Sequence, residues 1–329
     1  MSVANSTPGS EFERRPELFG SRVRILAGVP RAPGARDPKL AALEAEALLR
    51  RQHRVLTRFE PTSELSRLNA APESTIRASR TLLAFLEAAR WAAERTAGLV
   101  DATVIDAMAA GGYVTSVDEP KVSLAAALAS APPRRPAIAR DPSPWETVDI
   151  DPVAGTVTRP PGLGFDSGGI TKGHAADLCA GRLAGLSSFA VDCGGDLRLG
   201  GVDALPRTIS VDDPFTRVAD SRFELDRGAA ATSGIGGRLW FDGERFRHHL
   251  IDPGRGAEAW TGLVQVTAVA PTALEAETLA KAALLSGPLG AGAWLERWGG
   301  VVFDDEGDRV AYGPLAQRLR PALTPAEAT

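Results

Sequence analysis

The chain has 329 residues, 44% of them hydrophobic and 24% charged, with a formal net charge of −4, enough for a large core in one big domain or two smaller ones. The mild acidity gives no reason to expect nucleic acid or an anionic membrane as a partner, and no run of 18 apolar residues predicts a membrane span. The two cysteines, Cys179 and Cys193, lack C-x-x-C spacing, which argues against zinc or a structural disulfide and fits a reducing, cytoplasmic setting.

The N-terminus has no basic stretch followed by an apolar one, so no signal peptide is predicted and residues 1–18 read as a disordered tail. Gly9-Ser10-Glu11-Phe12 within it reads equally as a cloning remnant or as a native flexible piece. Ser21 to Ala27, after Phe19-Gly20, alternates as a strand. Asp37-Pro38 supplies an N-cap and N1 pair for a helix over Lys39 to Arg58, which stops at Phe59-Glu60-Pro61. Ser63 begins a short helix that Asn69 ends. A helix from Thr81 to Ala97 closes at Gly98, which suits a left-handed C′ position. Beyond it Asp101 and Thr103 are short polar side chains that local capping would explain. Val114 to Pro144 is Ala- and Pro-rich, an exposed connection around a short helix at Leu124 to Ser130, and Trp145 to Thr158 reads as two short strands.

Phe165 to Asp177 is the most informative stretch. Asp166 precedes the tandem Gly168-Gly169, Lys172 follows, and good helix formers then run to Leu183. Such glycines admit an anion to backbone N–H groups, a helix N-terminus favours negative charge, and Lys172 would add a charge-assisted bond. A tight turn with a surface lysine is an equal reading. The spacing is neither that of a Walker A loop nor that of a dinucleotide fingerprint.

Ser188 to Leu199 then gives strand, turn and strand, with Cys193 a buried small residue and no basic partner near in sequence. Thr208 to Val211 and Ser221 to Leu225 are further strands. His248 and His249 are neighbours whose side chains would point to opposite faces of a strand, so they cannot easily share a metal ion, and His248 is expected to face solvent. Leu263 to Ala270 is the clearest strand. Thr272 and Glu275 form a capping box for a helix whose Ala276, Leu279, Ala280, Ala283 and Leu284 make a buried stripe. A helix at Ala291 to Trp298 and a hairpin from Gly300 to Tyr312, turning at Asp304 to Gly307, complete the fold. Residues 315–329 read as a tail. The element order argues α+β, with mixed, mainly antiparallel sheets and flanking helices, in one domain over residues 19–314.

Six segments, in order, resemble those of the ApbE-like family, the FAD:protein FMN transferases, over about Phe19 to Pro314. Asp166 to Ala175 is similar to the family's Asp-Leu-Gly-Gly-Ile-Ala-Lys-Gly-Tyr-Ala, with Ser167, Thr171 and His174 replacing Leu, Ala and Tyr. Leu56 to Asn69 resembles Ser-x-Phe/Tyr-x-x-x-Ser-x-(Leu/Ile)-x-x-(Leu/Phe)-Asn, and Leu99 to Val104 resembles Ala-Phe-Asp-x-Thr-Val. Asp192 to Asp196 resembles Asn-Ala-Gly-Gly-Asp, Ala231 to Gly234 matches Ala-Thr-Ser-Gly, and His249 to Pro253 resembles His-Ile-Ile-Asp-Pro.

The resemblance implies a T-fold-like single domain with FAD as substrate and a threonine-bearing acceptor flavoprotein as partner. It implies that Phe19 replaces a flavin-packing Met, that Phe59 lies against the isoalloxazine, and that Leu99, Val100, Asp101 and Thr103 bind FAD. The pyrophosphate would lie over Gly168-Gly169 beside Asp166 and Lys172. His249, followed by Leu250, is the candidate base because an unperturbed imidazole titrates near operating pH; Asp252 would orient a partner or bind metal. Hydrolysis of FAD to FMN and AMP, and FAD binding without catalysis, stay open beside transfer.

The resemblance also implies Mg²⁺ at Gly169 and at a helical Asp and Thr four residues apart, where this chain has Glu277 and Lys281. A charged lysine offers no lone pair, so Lys281 marks a position and is not a ligand. An ammonium about 4 Å from Mg²⁺ costs on the order of 8 kcal/mol at an effective dielectric of about 20. Mg²⁺ is therefore expected to be weakened or replaced by Lys281, which joins His249 and Asp252 as a catalytic candidate. An exposed i, i+4 Glu–Lys pair, contributing about 0.2–0.5 kcal/mol, is the plainer alternative.

Overall fold

The computed structural model describes residues 1–3, 11–115 and 122–322. Residues 4–10 and 323–329 of the expected tails, and 116–121 of the connection after Val114, lie outside the described residues.

The fold is α+β. Its main sheet runs, edge to edge, Arg309–Tyr312, Gly300–Asp304, Leu263–Ala270, Gly228–Gly234, Asp196–Gly200, Phe189–Cys193, Ser21–Ala27 and Phe12–Arg14, with Glu17–Leu18 also on Ser21–Ala27. Every neighbouring pair in it is antiparallel. Three helices pack against the sheet: α1 (Pro38–Leu56), α6 (Thr171–Leu183) and α7 (Ala273–Leu295). The helices between them are α2 (Glu64–Ala70), α3 (Arg80–Arg95), α4 (Ile105–Ala110) and α5 (Leu124–Ala129).

Small residues set how closely these layers approach. The strand Gly228–Gly234, which packs on α7, carries buried Ala229, Ala230 and Ala231, and α7 carries buried Ala276, Ala280 and Ala283. Gly173 on α6 has no room for a side chain, since a Cβ there would sit 2.5 Å from the Ala273 carbonyl oxygen. Asp177, one turn on, accepts the Ala273 and Leu274 N–H groups at 2.9 Å each, so α6 caps α7. Thr272 caps it too, from its own chain, at 3.3 Å to the Glu275 N–H.

Among the described residues two large apolar cores result, beside a small cluster of Val104, Met108, Tyr113 and Ile251. One lies between the sheet and α1, α6 and α7; the other gathers α2, α3, Ile150, Val157 and Phe165. Leu49 of α1 and Leu284 of α7 belong to the first core, Leu56 and Leu285 of the same helices to the second, so both helices tie the cores into one unit.

The tails are corrected. Phe12–Arg14 extends the main sheet against Ile25–Ala27, and Glu11 is buried in an ion pair with Arg207. Glu11 and Phe12 are thus parts of the fold, which a strand of three residues is too short to announce by alternation. At the other end α8 (Leu315–Arg318) buries Leu315, and Arg320–Pro321 pairs with Ser221 and Arg222. The expected helix at Ala291 to Trp298 is present as the segment of α7 after Gly287-Pro288, where Gly287 at φ 70° separates it from the segment before; it ends at Leu295, three residues early.

Candidate functional site

A cavity of about 360 Å³ opens where the two cores meet, within the range of small-molecule sites. Its floor is the loop Phe165–Ile170, which hydrogen bonds within the loop and to distant segments hold in place. Asn69, at the end of α2, grips Phe165 twice: its Oδ1 accepts the Phe165 N–H and its Nδ2 donates to the Phe165 carbonyl, both at 2.9 Å. Ser167 Oγ donates to the Leu56 carbonyl at 2.7 Å, and the Asp166 N–H donates to Ala102 at 2.7 Å. The Asp166 carboxylate accepts the Gly168 N–H at 2.9 Å and pairs with Arg58 Nε at 2.8 Å. Gly168-Gly169 is thereby fixed just before the first turn of α6.

Four cations line the cavity: Arg58, Lys172, Arg238 and Lys281. Lys172 Nζ sits 2.5 Å from Asp196, which is only 1% exposed. Burial disfavours the charge on Lys172, yet Asp196 and Glu277 hold its ammonium above its ordinary value. The Arg58 guanidinium lies over the rings of Phe59 and Tyr113, at 4.4 and 4.5 Å from their centroids. Arg238 Nη2 donates to the Phe19 carbonyl at 3.4 Å, and among the described residues no carboxylate pairs with it. A Cβ on Gly168 would be 3.9 Å from Arg238 Nη1, so this guanidinium stands over the glycine loop.

The aromatic wall comes from Phe19, Phe59 and Tyr113, with Trp240 stacked behind Tyr113. Phe19 and Gly20 form the tip of a tight hairpin with φ of 57° and 63°, a pairing that a two-residue turn with positive φ at both positions requires. A phenylalanine there is strained, which makes Phe19 a candidate held for use and not for stability. Among the described residues, three buried polar atoms of lining residues find no protein partner: Arg58 Nη2, Thr171 Oγ1 and His249 Nδ1. Such atoms are costly to leave unmet and are ready to bond a polar ligand.

Of the residues expected from sequence, the structure brings Phe19, Phe59, Leu99, Val100, Asp101, Asp166, Gly168, Gly169, Lys172, His249, Leu250 and Lys281 to this one cavity. It does not bring Thr103, Asp252 or Glu277 to its wall. Thr103 turns its hydroxyl and N–H onto Asp101, at 2.7 Å each, the local cap that its spacing also allowed. Asp252 is buried as a turn anchor, accepting the N–H of Ile138 at 3.2 Å and of Arg255 at 3.1 Å and pairing with the Arg255 guanidinium. Asp252 is thereby tied to the turn and does not line the cavity. His248 is corrected: it is fully buried, edge-on to Trp260 with centroids 4.6 Å apart, because both faces of its strand end are covered.

Burial, then the cations Arg238 and Lys281 and the neighbouring His248, hold the His249 imidazole well below its ordinary pKa. It is therefore neutral, and its Nδ1 has no partner among the described residues. Arg58, Tyr113, Thr171 and Arg238 were missed from sequence. Arg238 follows Gly234-Ile-Gly-Gly237, a glycine run before a cation that would have been a usable signal.

A cleft floored by a glycine loop at a helix N-terminus, ringed by cations and walled by aromatic rings, defines a site for an aromatic, phosphorylated ligand. The chain belongs to the ApbE family, whose family model matches residues 19–303. It is similar to the FAD:protein FMN transferase of Treponema pallidum (strain Nichols), 27% identical over 348 residues, which cover 94% of this chain and 89% of that protein. It is similar also to the FAD:protein FMN transferase of Vibrio cholerae serotype O1, 28% identical over 265 residues, covering 78% and 76%. Among solved structures, the ApbE protein of Thermotoga maritima shares the fold at a TM-score of 0.75 and 23% identity, covering 94% of this chain and 99% of that one. The flavin transferase ApbE of Vibrio cholerae does so at 0.71 and 24%, covering 94% and 100%.

The residues present do not fit the Mg²⁺ that the family resemblance implies. The Gly169 carbonyl already accepts a hydrogen bond from Lys281 Nζ. Glu277 Oε2 accepts the Gly173 N–H at 2.9 Å, and its Oε1 lies 3.9 Å from the same ammonium. Burial, with Asp196 adding to it, pushes the Glu277 carboxyl up to about 7, and burial likewise pushes Lys281 down against the pull of Glu277. A divalent ion would need oxygens that are already engaged, beside a like charge.

Proposed function

We propose that this chain moves FMN from FAD to a threonine hydroxyl of an acceptor flavoprotein and releases AMP. The names of its relatives support the reaction, and one observation supports its site: a fixed Gly168-Gly169 loop surrounded by four cations under an aromatic wall. The isoalloxazine takes the wall of Phe19, Phe59 and Tyr113, and the pyrophosphate takes the glycine loop. The threonine oxygen bonds to the phosphorus of the FMN half, the bond from that phosphorus to the bridging oxygen breaks, and AMP leaves carrying that oxygen. The hydroxyl proton passes to the Nδ1 side of His249. This imidazole is neutral before substrate arrives, so it can accept, and the anionic pyrophosphate offsets the nearby cations and raises its affinity for the proton. Lys172, Arg238 and Arg58 stabilise charge developing on the phosphoryl oxygens. Buried free thiols at Cys179 and Cys193 support a reducing, cytoplasmic place of action.

The experiment is incubation with FAD, with and without a candidate acceptor, following AMP by chromatography and flavin on the acceptor by mass. The proposal expects AMP and a modified acceptor in equal amounts. AMP with free FMN and no modified acceptor would give hydrolysis instead, and unchanged FAD would give a binding protein.

A further inference from the structure

The Lys281 side chain runs from α7 into the wall of the cavity, with only 12% of it exposed. Its ammonium donates to the Gly169 carbonyl, in the loop that would underlie the pyrophosphate, and faces Glu277 Oε1 at 3.9 Å. A Cβ placed on Gly169 would lie 3.4 Å from the same nitrogen, so the lysine tip lies in contact distance of the glycine itself. Glu277 is fixed in turn, because its second oxygen holds the Gly173 N–H in the first turn of α6. The ammonium is thus located by the Gly169 carbonyl and the Glu277 carboxylate.

We propose that the Lys281 ammonium is the built-in cation of this site, standing where a divalent metal would otherwise bridge protein and pyrophosphate, so that FAD binding and AMP release need no divalent metal. The inference rests on the transferase reading for its chemistry, but not for its geometry. An ammonium has three N–H donors; one serves Gly169, one is directed toward Glu277, and the third is available to a phosphoryl oxygen in the cavity that Lys281 lines. Its single charge balances Glu277, leaving the pair neutral before ligand binds, whereas a divalent ion in its place would leave a net +1 beside Lys172 and Arg238. In the transfer step the lysine neither gives nor takes a proton. The bond to the acceptor oxygen forms, the bond to the AMP oxygen breaks, and the charge that collects on AMP meets a fixed ammonium in place of a metal.

The test measures three quantities on the whole chain: FAD affinity by flavin fluorescence, AMP release, and Mn²⁺ binding by electron paramagnetic resonance. Each is taken in EDTA and with added Mg²⁺ where that applies. The wild type is expected to bind FAD and release AMP equally in both conditions and to show no tight Mn²⁺ signal. The double variant Lys281→Thr with Glu277→Asp is expected to acquire a Mn²⁺ site and to lose AMP release in EDTA but not in Mg²⁺. A wild type that is inert in EDTA and active in Mg²⁺, or that binds Mn²⁺ tightly, overturns the inference without any variant having to fold. Absence of AMP under all conditions overturns the transferase reading instead, and FAD affinity with and without metal then still decides the role of Lys281.

Discussion

Lys172→Met separates the affinity of the site from its stability. In the folded chain Lys172 neutralises Asp196, which is almost wholly buried, at 2.5 Å. Removing one member of a buried pair leaves the other charge uncompensated, at a cost of about 3–5 kcal/mol. If the same ammonium bonds the FAD pyrophosphate, its loss removes a charge-assisted interaction of about 1.5–3 kcal/mol, which corresponds to a roughly 10- to 150-fold weaker Kd. Riboflavin has no phosphate, so its affinity should be nearly unchanged. The double variant Lys172→Met with Asp196→Asn restores neutrality: it should recover most of the stability and none of the FAD affinity. The assay is flavin fluorescence titration with FAD and with riboflavin, beside urea unfolding of the wild type and both variants. If the single variant weakens FAD and riboflavin alike, or the double variant regains FAD affinity, Lys172 is a structural partner of Asp196 and nothing more.

His249→Ala should leave FAD affinity close to that of the wild type and lower AMP release by roughly 10²–10⁴-fold, with initial rates at saturating FAD as the check; equal losses of rate and affinity would remove its role as base. His248→Ala should instead open a gap beside Trp260 and lower thermal stability first. Burial holds His174 at a pKa of about 4 and His248 at about 3, against an ordinary 6.5, so in mild acid the unfolded chain binds protons that the folded chain refuses. Stability should therefore fall as pH drops below about 6.5, by about 1.4 kcal/mol per pH unit for each of these histidines, until their folded pKa values are reached. Urea midpoints that stay flat from neutral pH to about 5 would contradict this. Asn69→Ala removes both bonds to Phe165 and should cost about 1–3 kcal/mol of stability and also weaken FAD; unchanged FAD affinity would mean that the loop is held without it.

The local signals in the sequence were sufficient wherever neighbours along the chain decide the structure. Asp37-Pro38 starts α1, Ser63 starts α2, and Gly98 takes the left-handed position after α3, because caps depend on a few adjacent residues. The stripe Ala276 to Leu284 is buried as its spacing requires, and the Gly-Gly stretch opens α6. Tertiary structure alone decided what meets across the chain. Asn69 holds Phe165 and Asp177 caps α7 through contacts separated by 96 residues, which no spacing rule can supply. His248 and Asp252 were misplaced because burial depends on what covers a strand, here Trp260 and the Ile138 and Arg255 backbone, not on the strand's own pattern. The sequence could say that Glu277 and Lys281 are one helical turn apart. Only the packing of α7 against α6 shows the ammonium on the Gly169 carbonyl, since that depends on Gly173 letting two helices approach closely enough for a lysine to span between them.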